Sequence, residues 1–500
     1  MFNNILTKKQ ALQELNRLSI KYLLLVILII MSGCRKLVEV PPSQNNINSE
    51  NIFNVDGTAI GMVNNIIRGA NEFNNGASFL YLGLLSDEVN IYNQSLNVSM
   101  LAYYQNALRE TSSELPWSDF YLAIYKTNSA VEGLNKTSSL TPAVKKQLLG
   151  EAKFLRAYFY YYAVNLFGDV PLALTTDPEV NRQLPRAPIQ DVYNQIVADL
   201  IDAQTLLSKN FLGKNLMITT SDRVRPTYWA ATALLSRVYL QKGDFSGAVQ
   251  QSTQIIENTN LFSLINLNDV FLKNSSETIW SIEPRQGPPF NVNQSLYFVL
   301  NAGGPDNSKN YYLNNDLYNA FEAGDGRKVN WTGSVSVGTK FYPYAYKYKS
   351  TPSQTTFTEY DVLFRLGEQY LIRAEAKARL LDVEGAILDL NKIRTRARLA
   401  ATPAVPNPLP NLQLPLSRTQ LNAAIEQERK VELFTEGFRW FDLKRMPGLI
   451  DASKVRADEV MPDVTTAKGG TWNPNWKLLP IPREQRFGDP NMTNAQNPGY

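Results

Sequence analysis

Apolar positions recur at helical spacing through most of this chain, and the breaks in that spacing mark out its elements. Leu148, Ala152, Leu155, Phe159 and Tyr162 stand four, three, four and three residues apart, as on one face of an amphipathic helix. Thr141-Pro142 ahead of them supplies a cap and a first-turn proline, and Gly168 with Pro171 stops the run. Trp117, Tyr121 and Tyr125 recur at every fourth residue, which places three aromatic rings on one face of an earlier helix. Two later stretches each predict a helix-turn-helix. The first starts at Pro226 with Ala231, Leu235 and Val238, breaks at Gly243-Asp244, and resumes through Phe245, Ala248, Val249 and Ile256. The second carries Leu363, Leu366, Tyr370 and Ala374, turns near Asp382, and resumes through Ala386, Ile387, Leu390, Ile393 and Ala397.

Between these stretches the period changes. Glu277 to Glu283 reads as a strand, and turn residues follow at Gly287-Pro288-Pro289 and Gly303-Gly304-Pro305-Asp306-Asn307. Tyr342, Tyr344, Tyr346 and Tyr348 alternate with other residues, so an extended chain sets all four on one side. A half-buried strand accounts for that better than a ligand platform. Residues 401–416, with prolines at 403, 406, 408, 410 and 415, predict a loop, and Thr471 to Tyr500 predicts an irregular surface tail. The fold class expected is mostly α, with helical hairpins as scaffold, irregular loops and a few short strands.

The N-terminus belongs to export rather than to the fold. Lys8, Lys9, Arg17 and Lys21 precede an apolar run from Tyr22 to Met31, followed by Ser32-Gly33-Cys34, the layout of a signal segment. The run is far short of the roughly 20 residues that span a bilayer. Its ending resembles the lipobox of bacterial lipoproteins, with Met31 in place of the usual leucine. That resemblance implies cleavage before Cys34 and attachment of lipid to its thiol and amino group. The expected division is a signal over 1–33, a tether over 34–50 and a single domain over 51–500, with an N-terminal part to about 270 and a C-terminal part from about 271.

Composition removes several chemistries. The chain has no histidine and Cys34 is its one cysteine. That excludes Ser-His-Asp and Cys-His nucleophilic catalysis, zinc held by His or Cys, and any intramolecular disulfide. Oxygen-only calcium or magnesium sites and carboxylate-pair glycoside hydrolysis stay open. The leader holds the four bases above and Glu14, so its removal takes the formal net charge from +4 to about +1; no basic stripe remains for a nucleic acid. Gly333 and Gly338 have phosphate-loop separation, but Thr339-Lys340 are in reversed order and Pro343 opposes the helix that should follow.

Two resemblances sharpen the picture. The second helices of both hairpins open on Gly-Ala-aliphatic (Gly247-Ala248-Val249, Gly385-Ala386-Ile387), similar to tetratricopeptide units, in which a small residue lets two helices approach. The second covers the chain from residue 34 to 500. Cys34-Arg35-Lys36-Leu37-Val38-Glu39-Val40-Pro41-Pro42, Asn165-Leu166-Phe167-Gly168-Asp169-Val170-Pro171-Leu172, Phe364-Arg365-Leu366-Gly367-Glu368 with Leu371-Ile372-Arg373-Ala374-Glu375-Ala376, Glu428-Arg429 with Glu432-Leu433 and Glu436 to Arg445, and the ending Leu479-Pro480-Ile481-Pro482 with Gln496-Asn497-Pro498-Gly499-Tyr500 resemble, in order, the SusD/RagB family of outer-membrane nutrient-binding lipoproteins. The resemblance implies a surface-exposed, lipid-anchored protein that captures oligosaccharides, or sometimes peptides, and passes them to a TonB-dependent SusC-like barrel. It implies binding without catalysis and no cofactor, with a structural calcium ion still compatible. Two other readings stand beside it: a helical-repeat scaffold for protein partners, and a carboxylate-based glycosidase.

Candidate ligand residues lie in polar stretches where rings have less reason to be buried, and the family draws its glycan site from the same two sections of chain. They are Asp87, Asn90, Tyr92, Tyr103 and Tyr104 in the first section, and Tyr311, Tyr312 and Trp331 in the second. Asp87-Glu88 make a poor acid/base pair, because adjacent side chains point apart. Glu428, Glu432 and Glu436 put three acids on one helix face, which requires compensation; the expectation is an ion-pair network with Arg439, Lys444 and Arg445, and a packed Trp440.

Overall fold

In the computed structural model, residues 51–70, 77–112, 114–284, 292–350 and 355–500 are described. The signal, Cys34 and the tether lie outside them. The principal helices are α1 (Asp56–Gly69), α2 (Trp117–Lys136), α3 (Pro142–Phe167), α4 (Ile189–Leu206), α5 (Tyr228–Lys242), α6 (Phe245–Ile256), α7 (Leu366–Arg379), α8 (Val383–Ala397) and α9 (Arg418–Leu433). The strands used below are β1 (Val89–Ile91), β2 (Thr278–Ile282), β3 (Tyr311–Leu313), β4 (Thr332–Val337), β5 (Lys340–Ala345) and β6 (Asp361–Arg365). The fold is mostly α, and every sheet among the described residues is two-stranded.

Helix α3 is the centre of the N-terminal part. Its 4-3-4-3 series is buried as far as Phe159, with Tyr162 half-buried, and residues on its other faces are buried too. The reason is that α1, α2 and α4 all pack on it, so an amphipathic stripe alone would leave two neighbours without an apolar partner. Pro142 takes the first turn as expected, but the Thr141 side chain makes no capping bond; its backbone N–H donates to Asp56 Oδ1 at 3.0 Å. Gly168 closes the helix at φ 75°, a left-handed position open to glycine. On α2 the three rings run from buried to exposed: Trp117 stacks on Tyr121 at 4.9 Å, and Tyr125 stands in solvent.

Both helical hairpins are present. α5 begins at Tyr228, not Pro226, and Leu363 belongs to β6 rather than to α7. Asp244 and Asp382 cap the second helices by accepting from Gly247 and Gly385 N–H, each at 2.9 Å. A Cβ on Gly247 would meet the Tyr239 ring at 2.7 Å, so that glycine does permit the close helix approach. At Gly385 the same atom would meet the capping carboxylate of Asp382, a different need met by the same residue. Leu240, Ala248, Ile372 and Ala376 join α5, α6 and α7 in one apolar cluster, while Leu371, Leu390, Ile393, Leu421 and Ile425 join α7, α8 and α9 in another. Each fully buried large aliphatic there contributes about 1.5–3 kcal/mol.

β2 pairs antiparallel with β6, β1 with β3, and β4 with β5. The tyrosine alternation starts as a strand, but β5 ends at Ala345. Tyr342 and Tyr348 are buried, and Tyr344 and Tyr346 half-buried. Residues 401–416 hold no helix or strand. The tail from Thr471 keeps a short helix, Arg483–Gly488, and a single turn, Pro474–Lys477; Asn497 ties it down by donating to the Phe167 and Leu479 carbonyls at 2.9 and 2.7 Å.

The acidic series is an ion-pair network, with different partners from those expected. α9 ends at Leu433, so Glu436 sits beyond the helix that bears Glu428 and Glu432. Arg327 reaches Asp325, Glu428 and Glu432; Arg365 reaches Glu277, Glu432 and Glu436; Arg394 and Arg396 close the other side on Glu428 and on Glu277 and Glu432. Burial alone would raise the Glu432 carboxyl, but the guanidiniums of Arg396, Arg365 and Arg327 outweigh it and hold it well below the usual range. Arg445 instead pairs with Glu375 and Asp442, Arg439 with Asp87 and Glu426, and Lys444 donates to the Asn165 carbonyl. Trp440 is fully buried, as expected.

Candidate ligand surface

The pairing of β1 with β3 brings the two candidate sections together. Val89 faces Leu313, Asn90 faces Tyr312, and Ile91 faces Tyr311. Strand alternation turns Val89, Ile91, Tyr311 and Leu313 inward, where all four are buried, and leaves Asn90 and Tyr312 partly exposed on the other face. The Tyr104 hydroxyl donates to Asn90 Oδ1 at 3.1 Å. Tyr342 of β5 lies edge-to-face with Tyr312 at 5.2 Å and with Tyr92 at 6.0 Å. One buried ring therefore holds two partly exposed ones, and Tyr92 is 48% exposed.

Asparagines lock the adjoining loops. Asn93 N–H donates to Asn310 Oδ1 at 2.6 Å, Asn310 Nδ2 returns to the Asn93 carbonyl at 3.1 Å, and Asn93 Nδ2 reaches Asn307 Oδ1 at 2.9 Å. Tyr104 is pushed up to about 12 by burial and then by Tyr312, and Tyr312 is raised by burial and then by Tyr342. These phenols stay protonated at neutral pH, and Tyr104 donates from its hydroxyl to Asn90.

The remaining candidates are interior. Asp87 is buried, with its carboxylate on Arg439 at 2.7 and 2.9 Å and near Lys430 at 3.2 Å; burial opposes its charge, but those cations keep it ionised far below the usual range. Glu88 beside it is also buried, and burial together with Asp87 pushes it up to about 8. Trp331 is fully buried, donates from its indole to the Leu267 carbonyl at 2.8 Å, and lies against Lys347, Arg396 and Arg365. Tyr103 donates to the Glu114 carbonyl at 2.8 Å and Tyr311 packs near Tyr297. Asp87, Trp331, Tyr103 and Tyr311 thus support the fold in this conformation, whereas Asn90, Tyr92, Tyr104 and Tyr312 converge. Tyr342, expected in the core from its alternation, is buried and is the pivot of the patch. Of the Asn93, Asn307 and Asn310 amides the sequence marks only Asn307, as the end of the turn-rich run Gly303 to Asn307.

Chemically the surface offers flat rings with hydroxyl and amide edges, while Asp87 and Glu88 beside it are buried. Among the described residues no cluster of acidic side chains is arranged to hold a metal ion, and no helix is long and apolar enough to cross a membrane.

Comparison with known proteins is consistent along the chain. Residues 42–240 match the family described as starch-binding, associating with outer membrane, and residues 306–500 match the SusD family. A SusD-like protein of Formosa agariphila is 26% identical over 86% of this chain and 87% of its own. A SusD-like crystal structure from Bacteroides fragilis superposes with a TM-score of 0.73 at 19% identity, covering 90% of this chain and 98% of the other. A structure described as a laminarin binding SusD-like protein superposes at 0.69 with 21% identity, covering 89% and 99%.

Proposed function

As this chain belongs to the SusD/RagB family, we propose that it is a lipoprotein of the outer-membrane surface, anchored through Cys34, that binds oligosaccharides on the Tyr92–Tyr312 surface. It delivers them to a TonB-dependent SusC-like barrel. The observation that carries the reading is the β1–β3 pairing, which sets Asn90, Tyr92 and Tyr312 beside Tyr342 in an exposed aromatic patch. Flat rings cover the apolar faces of sugars, while phenol and amide edges meet their hydroxyls. The matched description of starch binding at the outer membrane and the laminarin-binding relative support this ligand class. Capture without turnover fits a chain with no histidine and a single cysteine, Cys34. No cofactor is required for it.

Isothermal titration against a panel of oligosaccharides tests the surface. Removing both exposed rings, by Tyr92→Ala with Tyr312→Ala, is expected to weaken binding tenfold or more, about 1.4 kcal/mol. Unchanged affinity, or no heat from any member of the panel, would count against it.

The anchor has its own test. Two or more acyl chains give lasting attachment, at about 0.8 kcal/mol per buried methylene. Cys34→Ala is expected to yield a folded protein in the soluble fraction with sugar affinity intact. A variant that still sediments with carbonate-washed membranes would refute lipid anchoring at this residue.

A further inference from the structure

We propose a second carbohydrate site, in the cavity between α2, the segment after α3 and the C-terminal tail. The cavity measures about 540 Å³ and is walled by three stretches distant in sequence: 117–128, 171–182 and 484–492. That volume falls in the range of pockets that enclose small organic ligands.

Its ligand class follows from the walls. The α2 wall presents the stepped aromatic ladder, with Tyr121 half-buried and Tyr125 52% exposed. Both rings are carried on a helix packed against α3 and are therefore held at fixed height. The opposite wall is rigid. The Glu132 carboxylate accepts from Thr175 Oγ1, Thr176 N–H and Thr176 Oγ1 at 3.0, 2.8 and 2.6 Å. The tail is pinned by Asn491 Nδ2 on the Gln183 carbonyl at 2.7 Å and by buried Met492.

Two alternatives are disfavoured by the same geometry. A peptide docking as an added strand would need an open backbone edge, yet the carbonyls of Pro171, Ala173 and Thr175 already accept from Tyr121, Asn128 and Asn181. An anionic ligand would need a field of one sign, yet Arg182 shares the lining with Glu484 and Asp489. A neutral, hydroxyl-rich molecule with flat apolar faces satisfies both conditions: it lies on Tyr125 and Tyr121 and meets polar groups such as Gln485 at the rim. The ligand class is shared with the function proposed above and rests on that reading; the location rests on this cavity alone.

The test uses the full mature chain and saturation-transfer NMR with laminarihexaose, maltohexaose, xylohexaose and cellohexaose as probes. Tyr125 is exposed, so Tyr125→Ala is expected to leave the fold intact, which circular dichroism checks. In a protein carrying Tyr92→Ala and Tyr312→Ala, at least one probe is expected to keep a transfer signal, which drops at least fivefold when Tyr125→Ala is added. Signal that depends on Tyr92 and Tyr312 and not on Tyr125 overturns the second site and leaves the first. Signal that depends on Tyr125 alone supports the cavity and refutes the exposed surface. No signal from any probe refutes both.

Discussion

Arg365→Met is expected to destabilise the protein by roughly 3–5 kcal/mol, the cost of leaving a buried charge without its partner. Arg365 is buried and holds Glu277, Glu432 and Glu436, with distances of 3.0, 2.7 and 2.8 Å. The substitution keeps much of the volume but leaves three buried acids with one cation fewer. Lys347, on Glu436 at 2.6 Å, and Arg396 cannot replace a guanidinium that reaches all three. Chemical denaturation reads the loss as a lowered midpoint at unchanged slope. A midpoint within error of the parent would show that the network is dispensable. The contrast is Lys454→Ala: its pairing with Asp451, at 3.9 Å on the exposed surface, should make no measurable difference.

The second large effect is acid unfolding. The carboxyls of Asp87, Glu375, Glu432, Glu436 and Asp442 are all buried; burial would raise each, but neighbouring cations hold each below its ordinary value of 3.8 or 4.5. In the unfolded chain they titrate near those ordinary values. The stability they supply is therefore complete above about pH 5 and is lost as pH falls through 4, where the unfolded state takes up protons that the folded state refuses. Glu88 runs the other way. Raised to about 8 by burial and by Asp87, it contributes stability that is full below 4.5 and declines as pH rises through 8. The five acids predict a thermal midpoint that drops steeply below pH 4, while near neutrality Glu88 is opposed by the buried Lys347, Lys444 and Lys468, which burial lowers to about 8, 7 and 7. A midpoint flat from pH 6 to pH 3 would contradict the role given to these acids.

Local pattern carried the helical part of this structure well. The α3 spacing, the capped hairpins and the strand at Glu277 to Glu283 each follow from residues within one or two turns of one another, where side-chain periodicity and turn chemistry decide conformation. The charge network was legible only as a need. Three acids on adjoining turns require cations, and the expected ones are Arg439, Lys444 and Arg445, shortly downstream in sequence. The actual partners, Arg327, Arg365, Arg394 and Arg396, arrive from elements that tertiary packing alone delivers. The candidate surface shows the same boundary. Tyr92 and Tyr312 stood out as rings in polar surroundings, but so did Trp331, whose indole is sealed inside, and Asp87, whose carboxylate faces an arginine 352 positions away. Local polarity does not report which side of a strand a residue takes, nor which distant side chain covers it. Tyr342 failed in the opposite direction: a buried ring can belong to a surface when its role is to brace two others.

The β1–β3 ladder joins residues more than two hundred positions apart, from either half of the polypeptide. Neither half alone can bring Tyr92, Tyr312 and Tyr342 together. A truncated or unfinished chain, released after β1 and before β3, would lack the proposed sugar surface, which forms only once synthesis has passed β5, and co-expressed fragments would regain it only by reassembling that short ribbon.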